Sequence, residues 1–138
     1  MITLVVGVGA GFGRVLTDSG ASAAIVALAG QWHIPILLLA WLIAALIRIA
    51  TGSATVAMAT AAGIIAPIAA TSTVRPELLV IATGAGSVVF SHVNDGGFWL
   101  VKEYFGLSVI DTVRSWTICE TLISLTALAI AATLSLLL

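Results

Sequence analysis

The sequence predicts an all-α integral membrane protein. Three observations predict it. The 138 residues are 61% hydrophobic and only 8% charged, whereas a soluble domain carries about a quarter charged residues. Mean hydropathy is +1.24. The few charges are bunched, which leaves uncharged runs at 19–47, 49–74, 78–94 and 121–138. The same numbers exclude a water-soluble globule and a disordered tail, which needs low hydrophobicity and high charge. Five Lys+Arg against six Asp+Glu give a formal charge of -1. No basic stripe results, so nucleic acid is not an expected partner. Cys119 is the single cysteine. It cannot form an internal disulfide, and His33 and His92 are too distant to complete a zinc site with it. No metal or other cofactor is expected.

Residues 1–33 read as a Gly-rich segment followed by a short amphipathic or interfacial helix. The first Arg, Arg14, follows the apolar stretch. A secretory signal places positive charge before it. Gly7, Gly9, Gly11 and Gly13 alternate with other residues. A dinucleotide fingerprint needs G-x-G-x-x-G after a strand, so the match fails and close helix packing is the expected use. His33 beside Trp32 reads as interfacial.

Residues 34–70 read as a re-entrant helical hairpin with its tip near 51–55. The stretch 35–50 rises to about 24 Å, short of the roughly 30 Å of hydrocarbon in a bilayer. Gly52 permits a tight turn, and Thr51 and Ser53 are suited to cap a second helix. The alternative is one kinked helix whose hydroxyls bond back to its own carbonyls.

Residues 76–105 read as a discontinuous transmembrane helix broken near 91–97. Ser91-His92-Val93-Asn94-Asp95-Gly96-Gly97 interrupts an apolar run that resumes at once with Phe98-Trp99-Leu100-Val101. In hydrocarbon, irregular backbone survives only where protein or trapped water satisfies it. In transporters, such breaks are where substrates and ions bind. The alternative is an ordinary loop, with Trp99 and Tyr104 at the interface. Ser91, His92 and Asp95 are triad residue types, but a triad requires geometry rather than adjacency. Enzyme chemistry is therefore not expected. Residues 112–138 read as the final transmembrane helix, the cleanest full span.

Three strings carry a family resemblance: 11–20 (GFGRVLTDSG), 48–63 (RIATGSATVAMATAAG) and 90–106 (FSHVNDGGFWLVKEYFG). In content, order and spacing they resemble the C-terminal part of the gluconate:proton symporter (GntP, gluconate permease) family, over essentially the whole chain. Two departures are visible. The family usually has Gly-Gly-Ala before the first Phe-Gly, where this chain has Gly9-Ala10-Gly11. It often has Ser after the Asn-Asp, where this chain has Gly96.

The resemblance implies the second inverted repeat of an ion-transporter-superfamily permease. It implies a multi-pass protein of the bacterial cytoplasmic (inner) membrane that imports gluconate or a related sugar acid with a proton. The two breaks would then face each other across the substrate. Arg48, Thr51, Gly52, Ser53, Thr55, Ser91 and Asn94 become candidates for substrate binding, with Arg48 on the carboxylate and the hydroxyls on the polyol. Arg48 has the alternative of a snorkelling charge at a helix end. Asp95 and His92 are candidates for proton coupling, because ionisable residues inside a membrane are functional by default and a desolvated carboxyl can hold a proton. Glu120 is the runner-up, with the alternative of a helix-end charge near Arg114. The short length gives two further expectations: half of a split permease that needs an N-terminal partner or a second copy, or an inactive remnant. Lys102 and Arg114 place the segment between them on the cytoplasmic side, with Leu138 outside.

Overall fold

Pro35 and Gly52 punctuate the first described helix, α1, Ile36–Thr51. In this computed structural model residues 34–70 and 72–137 are described, with scattered positions between 11 and 27. The expectations for 1–33 lie outside the described residues except at those positions. Gly52 ends α1 with φ +70°, and its N–H donates to Arg48 O at 2.8 Å. Glycine adopts this left-handed conformation without the Cβ penalty. Ser53 then starts α2, Ala54–Ala69, by accepting a bond from Val56 N at 3.3 Å. Its hydroxyl satisfies one of the N–H groups that a helix start leaves bare. Helix stop and helix start are thus fused into two residues. Leu37 and Ala40, early in α1, share a buried cluster with Ile65 and Ile68, late in α2. The two helices therefore form an antiparallel hairpin. Ser53 is the cap, while Thr51 instead bonds back to Ile47 O at 2.8 Å.

Helix α3, Pro76–Val88, opens with Pro at its first turn and Glu77 beside it. Both suit a helix start, where a missing N–H costs nothing and the dipole favours negative charge. Leu78, Leu79 and Ala82 enter the same buried cluster. One turn further on, α3 comes close to α1. A Cβ added to Gly86 would lie 2.9 Å from Ala44 Cβ and 3.0 Å from the carbonyl carbon of Trp41. Small residues allow such close approach where lipid supplies no hydrophobic drive between helices.

Residues 89–95 leave the helix, and α4 spans Gly96–Tyr104. Gly96 and Gly97 lie in the first turn of α4 rather than in the break, because Asp95 caps that turn by accepting from Gly97 N at 2.9 Å. Helix α5, Val109–Thr112, runs through one π-helical turn, Val113–Thr117, into α6, Ile118–Leu137. Together, Val109–Leu137 form the one helix among the described residues long and apolar enough to cross a membrane. Helices α1, α2 and α3 have 16, 16 and 13 residues, about 24, 24 and 20 Å at ~1.5 Å per residue. Fully buried Ser124 ties α6 to the others. It donates to Ala85 O at 2.6 Å and accepts from Trp41 Nε1 at 2.9 Å. All described elements are helical, and the apolar helices fit a membrane protein.

Candidate functional site

Arg48 sits in the last turn of α1, where a cation complements the negative end of the helix dipole. It is also only 4% exposed. A charge this buried must be paired. Nη1 donates to Gly52 O and Nη2 to Asp95 Oδ2, each at 2.5 Å. Nε is buried and has no partner among the described residues. The guanidinium fork thereby joins the hairpin turn to the 89–95 break, 47 positions away in sequence.

Asn94 makes the second link between the two segments. Its Nδ2 donates to Ile49 O at 2.8 Å, satisfying one of the carbonyls that α1 leaves bare at its end. The turn is packed against Asn94 so closely that a Cβ on Gly52 would lie 2.7 Å from its carbonyl carbon and 2.9 Å from its Cγ. Glycine at 52 thus serves both the positive φ and the close approach.

Asp95 is 14% exposed. Its Oδ2 accepts from Arg48 and from Ser91 Oγ, and its Oδ1 from Gly97 N. Ser91 is held in turn by α6 and the π turn. Trp116 Nε1 donates to Ser91 Oγ at 2.9 Å, and Thr117 Oγ1 donates to Ser91 O. Phe90 adopts φ +53°, a left-handed conformation unusual for a bulky residue. Its N–H donates to Thr121 Oγ1 at 3.3 Å. Strained backbone of this kind collects at functional sites.

The structure therefore brings Arg48, Gly52, Ser91, Asn94 and Asp95 into one junction, with Arg48, Gly52 and Ser91 buried, Asp95 partly so and Asn94 exposed at its edge. Ser53 lies beside it, occupied in capping α2. Thr51 and Thr55 are exposed, at the end of α1 and the start of α2. His92 does not join the junction: its Nδ1 lies 2.9 Å from Phe90 O, and its ring centroid lies 5.4 Å from that of Phe90. Trp116, Thr117 and Thr121 hold the break in place, and sequence reading missed all three. Thr121 also bonds its own helix through Thr117 O at 2.7 Å, and the π turn that presents Trp116 and Thr117 to Ser91 has no residue signature. Glu120 is half-buried and lies within electrostatic reach of Arg48 and Asp95.

Two helix N-termini, of α2 and α4, adjoin this junction along with the guanidinium. Bare N–H groups and a positive dipole end favour carboxylates and phosphates. Chemically, the arrangement is a pre-positioned cation with hydroxyl and amide groups around it, suited to a hydroxylated anion.

The GntP family permease description matches residues 1–137. A high-affinity gluconate transporter of Escherichia coli (strain K12) is 55% identical over 128 residues, covering 93% of this chain and 29% of that protein. A gluconate permease of Pseudomonas aeruginosa is 52% identical over 138 residues, covering 99% of this chain and 31% of that protein. The Gnt-II system L-idonate transporter of Escherichia coli (strain K12) is 51% identical over 128 residues, covering 93% and 29%. This chain thus spans about three tenths of the length of the curated relatives it matches. No solved structure matches it. Family match, sequence identity and apolar helices converge: the chain is a membrane protein and belongs to the GntP family of permeases.

Proposed function

We propose that this chain is the C-terminal part of a proton-coupled secondary transporter that imports gluconate or a related sugar acid across the bacterial inner membrane. The observation that carries the reading is Arg48: buried, shared between the two interrupted segments, and with an Nε–H that meets no partner among the described residues. A carboxylate is the natural partner for that N–H, because charge-assisted bonds to Arg are among the stronger ones in proteins. Relatives named for gluconate and L-idonate support a hydroxy-acid substrate. In this reading, α1 and α2 are a re-entrant hairpin, α3 and α4 are the halves of a discontinuous helix, and Val109–Leu137 is a full span. The three form most of one inverted repeat. Thr51, Ser53, Thr55, Ser91 and Asn94 supply groups for the polyol, and the Arg48–Asp95 pair sets the charge balance that couples the anion to a proton.

Length favours a second reading: half of a split permease, or an inactive remnant. Uptake of labelled gluconate by cells expressing this chain, with and without a co-expressed N-terminal half, tests both. Uptake is expected when both are present, collapsing with a protonophore and in Asp95→Asn. Absence of uptake in both arms would favour the remnant. Unchanged accumulation and pH dependence in Asp95→Asn would remove Asp95 from the coupling.

A further inference from the structure

Thr117, Glu120, Thr121 and Ser124 lie three or four residues apart and so share one face of the last helix. Three of them have fixed partners in the preceding segment. Thr117 Oγ1 donates to Ser91 O, Thr121 Oγ1 accepts from Phe90 N, and Ser124 Oγ donates to Ala85 O. Glu120, in the middle of this face, makes no hydrogen bond or ion pair among the described residues. The Thr117–Ser91 and Phe90–Thr121 bonds flank Glu120 and set it beside the segment that carries Asp95, whose Oδ2 accepts from Ser91.

The other titratable groups around it are accounted for. Helix α2 has none. Helix α3 brings only Glu77, in its first turn, at the end far from the break. On α4, Lys102 pairs with Glu103 at 2.8 Å. His92 bonds within its own loop. On the preceding turns, Asp111 accepts from Ser108 Oγ at 2.6 Å. The junction is thus an Arg48–Asp95 ion pair with the unpaired Glu120 carboxyl on the helix face beside it, one excess negative charge when both acids are ionised.

The two carboxyls are not equivalent. Asp95 already accepts from three donors, Arg48, Ser91 and Gly97. A proton there would weaken these bonds and leave the buried guanidinium facing a neutral acid. A proton on Glu120 displaces nothing. An incoming sugar-acid anion adds a second excess negative charge beside these carboxyls, and a nearby like charge disfavours the ionised form of an acid. One proton restores the balance.

We infer that Glu120 is the group that takes up the proton accompanying each anion, with Asp95 as the standing counter-ion of Arg48. The proton moves from water onto the Glu120 carboxylate when the anion binds, and returns to water on the other side when the anion leaves. This rests on the proposed function, since it presupposes that the junction binds a sugar acid.

Calorimetric titration of this chain in lipid nanodiscs with gluconate, in two buffers of different ionisation enthalpy, counts the protons taken up. Wild type is expected to take up about one proton per anion, with affinity falling about tenfold per pH unit where Glu120 titrates. Glu120→Gln is expected to bind with proton uptake lost and the pH dependence flattened. Glu120→Asp is expected to restore both, and Glu77→Gln to leave both as in wild type. Binding with no proton uptake in wild type, or uptake undiminished in Glu120→Gln, overturns the assignment to Glu120 alone. No binding by wild type, either alone or together with a co-expressed N-terminal half, overturns the site reading, and the assignment with it.

Discussion

Arg48→Ala is expected to cost the folded chain about 3–5 kcal/mol, the usual penalty for breaking a buried ion pair from one side. The Asp95 carboxylate, 14% exposed, loses its cation, and the Gly52 carbonyl loses its donor. Gluconate binding is expected to disappear with it. Arg48→Lys is expected to recover part of the stability but little of the binding. A single ammonium cannot hold Gly52 O, Asp95 and a third acceptor in the planar fork that guanidinium provides. Thermal unfolding in nanodiscs, alongside a binding titration, checks both. A wild-type melting profile for Arg48→Ala would contradict the place given to this pair.

Gly52→Ala strikes the same junction through the backbone. A non-glycine residue held at φ +70° costs about 1–2 kcal/mol before any contact is counted. The new Cβ would also lie 2.7 Å from the Asn94 carbonyl carbon. The break must move away, and the Asn94–Ile49 bond, about 0.5–1.5 kcal/mol, goes with it. Together these predict a loss of gluconate affinity of tenfold or more, since about 1.4 kcal/mol is a factor of ten. Gly96→Ala is the control. That glycine has an ordinary φ, and a Cβ there meets nothing within 4 Å. Equal affinity in the two variants would mean that the turn and the break do not depend on each other.

Much of the local structure could be read from residues because its causes are local. Gly52 and Ser53 stop one helix and start the next by their own backbone and hydroxyl chemistry. Pro76 and Glu77 mark a helix start, and the polar string from Ser91 to Asp95 stands out within an apolar run. What stayed hidden was long-range. Nothing near Arg48 in sequence says that it meets Asp95. Thr117, Thr121 and Ser124 look like ordinary polar residues of a membrane helix until α3 is packed beside them. The left-handed Phe90 has no signal at all, because its conformation is imposed by Thr121 and the turn that follows. The role of Asp95 shows the same limit. Its isolation in an apolar stretch suggests a proton carrier, whereas its cap on α4 and its bond to Arg48 are visible only in three dimensions.

The central claim is that the hairpin turn and the helix break together hold the carboxylate of a sugar acid at Arg48. Thr55 is exposed in the first turn of α2, at the edge of the proposed site, so a thiol there can report its occupancy. Cys119, the one native thiol, is exposed and must first be replaced by Ser. The decisive measurement is the rate at which a thiol reagent modifies Thr55→Cys in that background. Gluconate is expected to slow the reaction in a concentration-dependent way, glucose is expected to leave it unchanged, and adding Arg48→Ala is expected to abolish the protection. Modification at the same rate with and without saturating gluconate would contradict the claim.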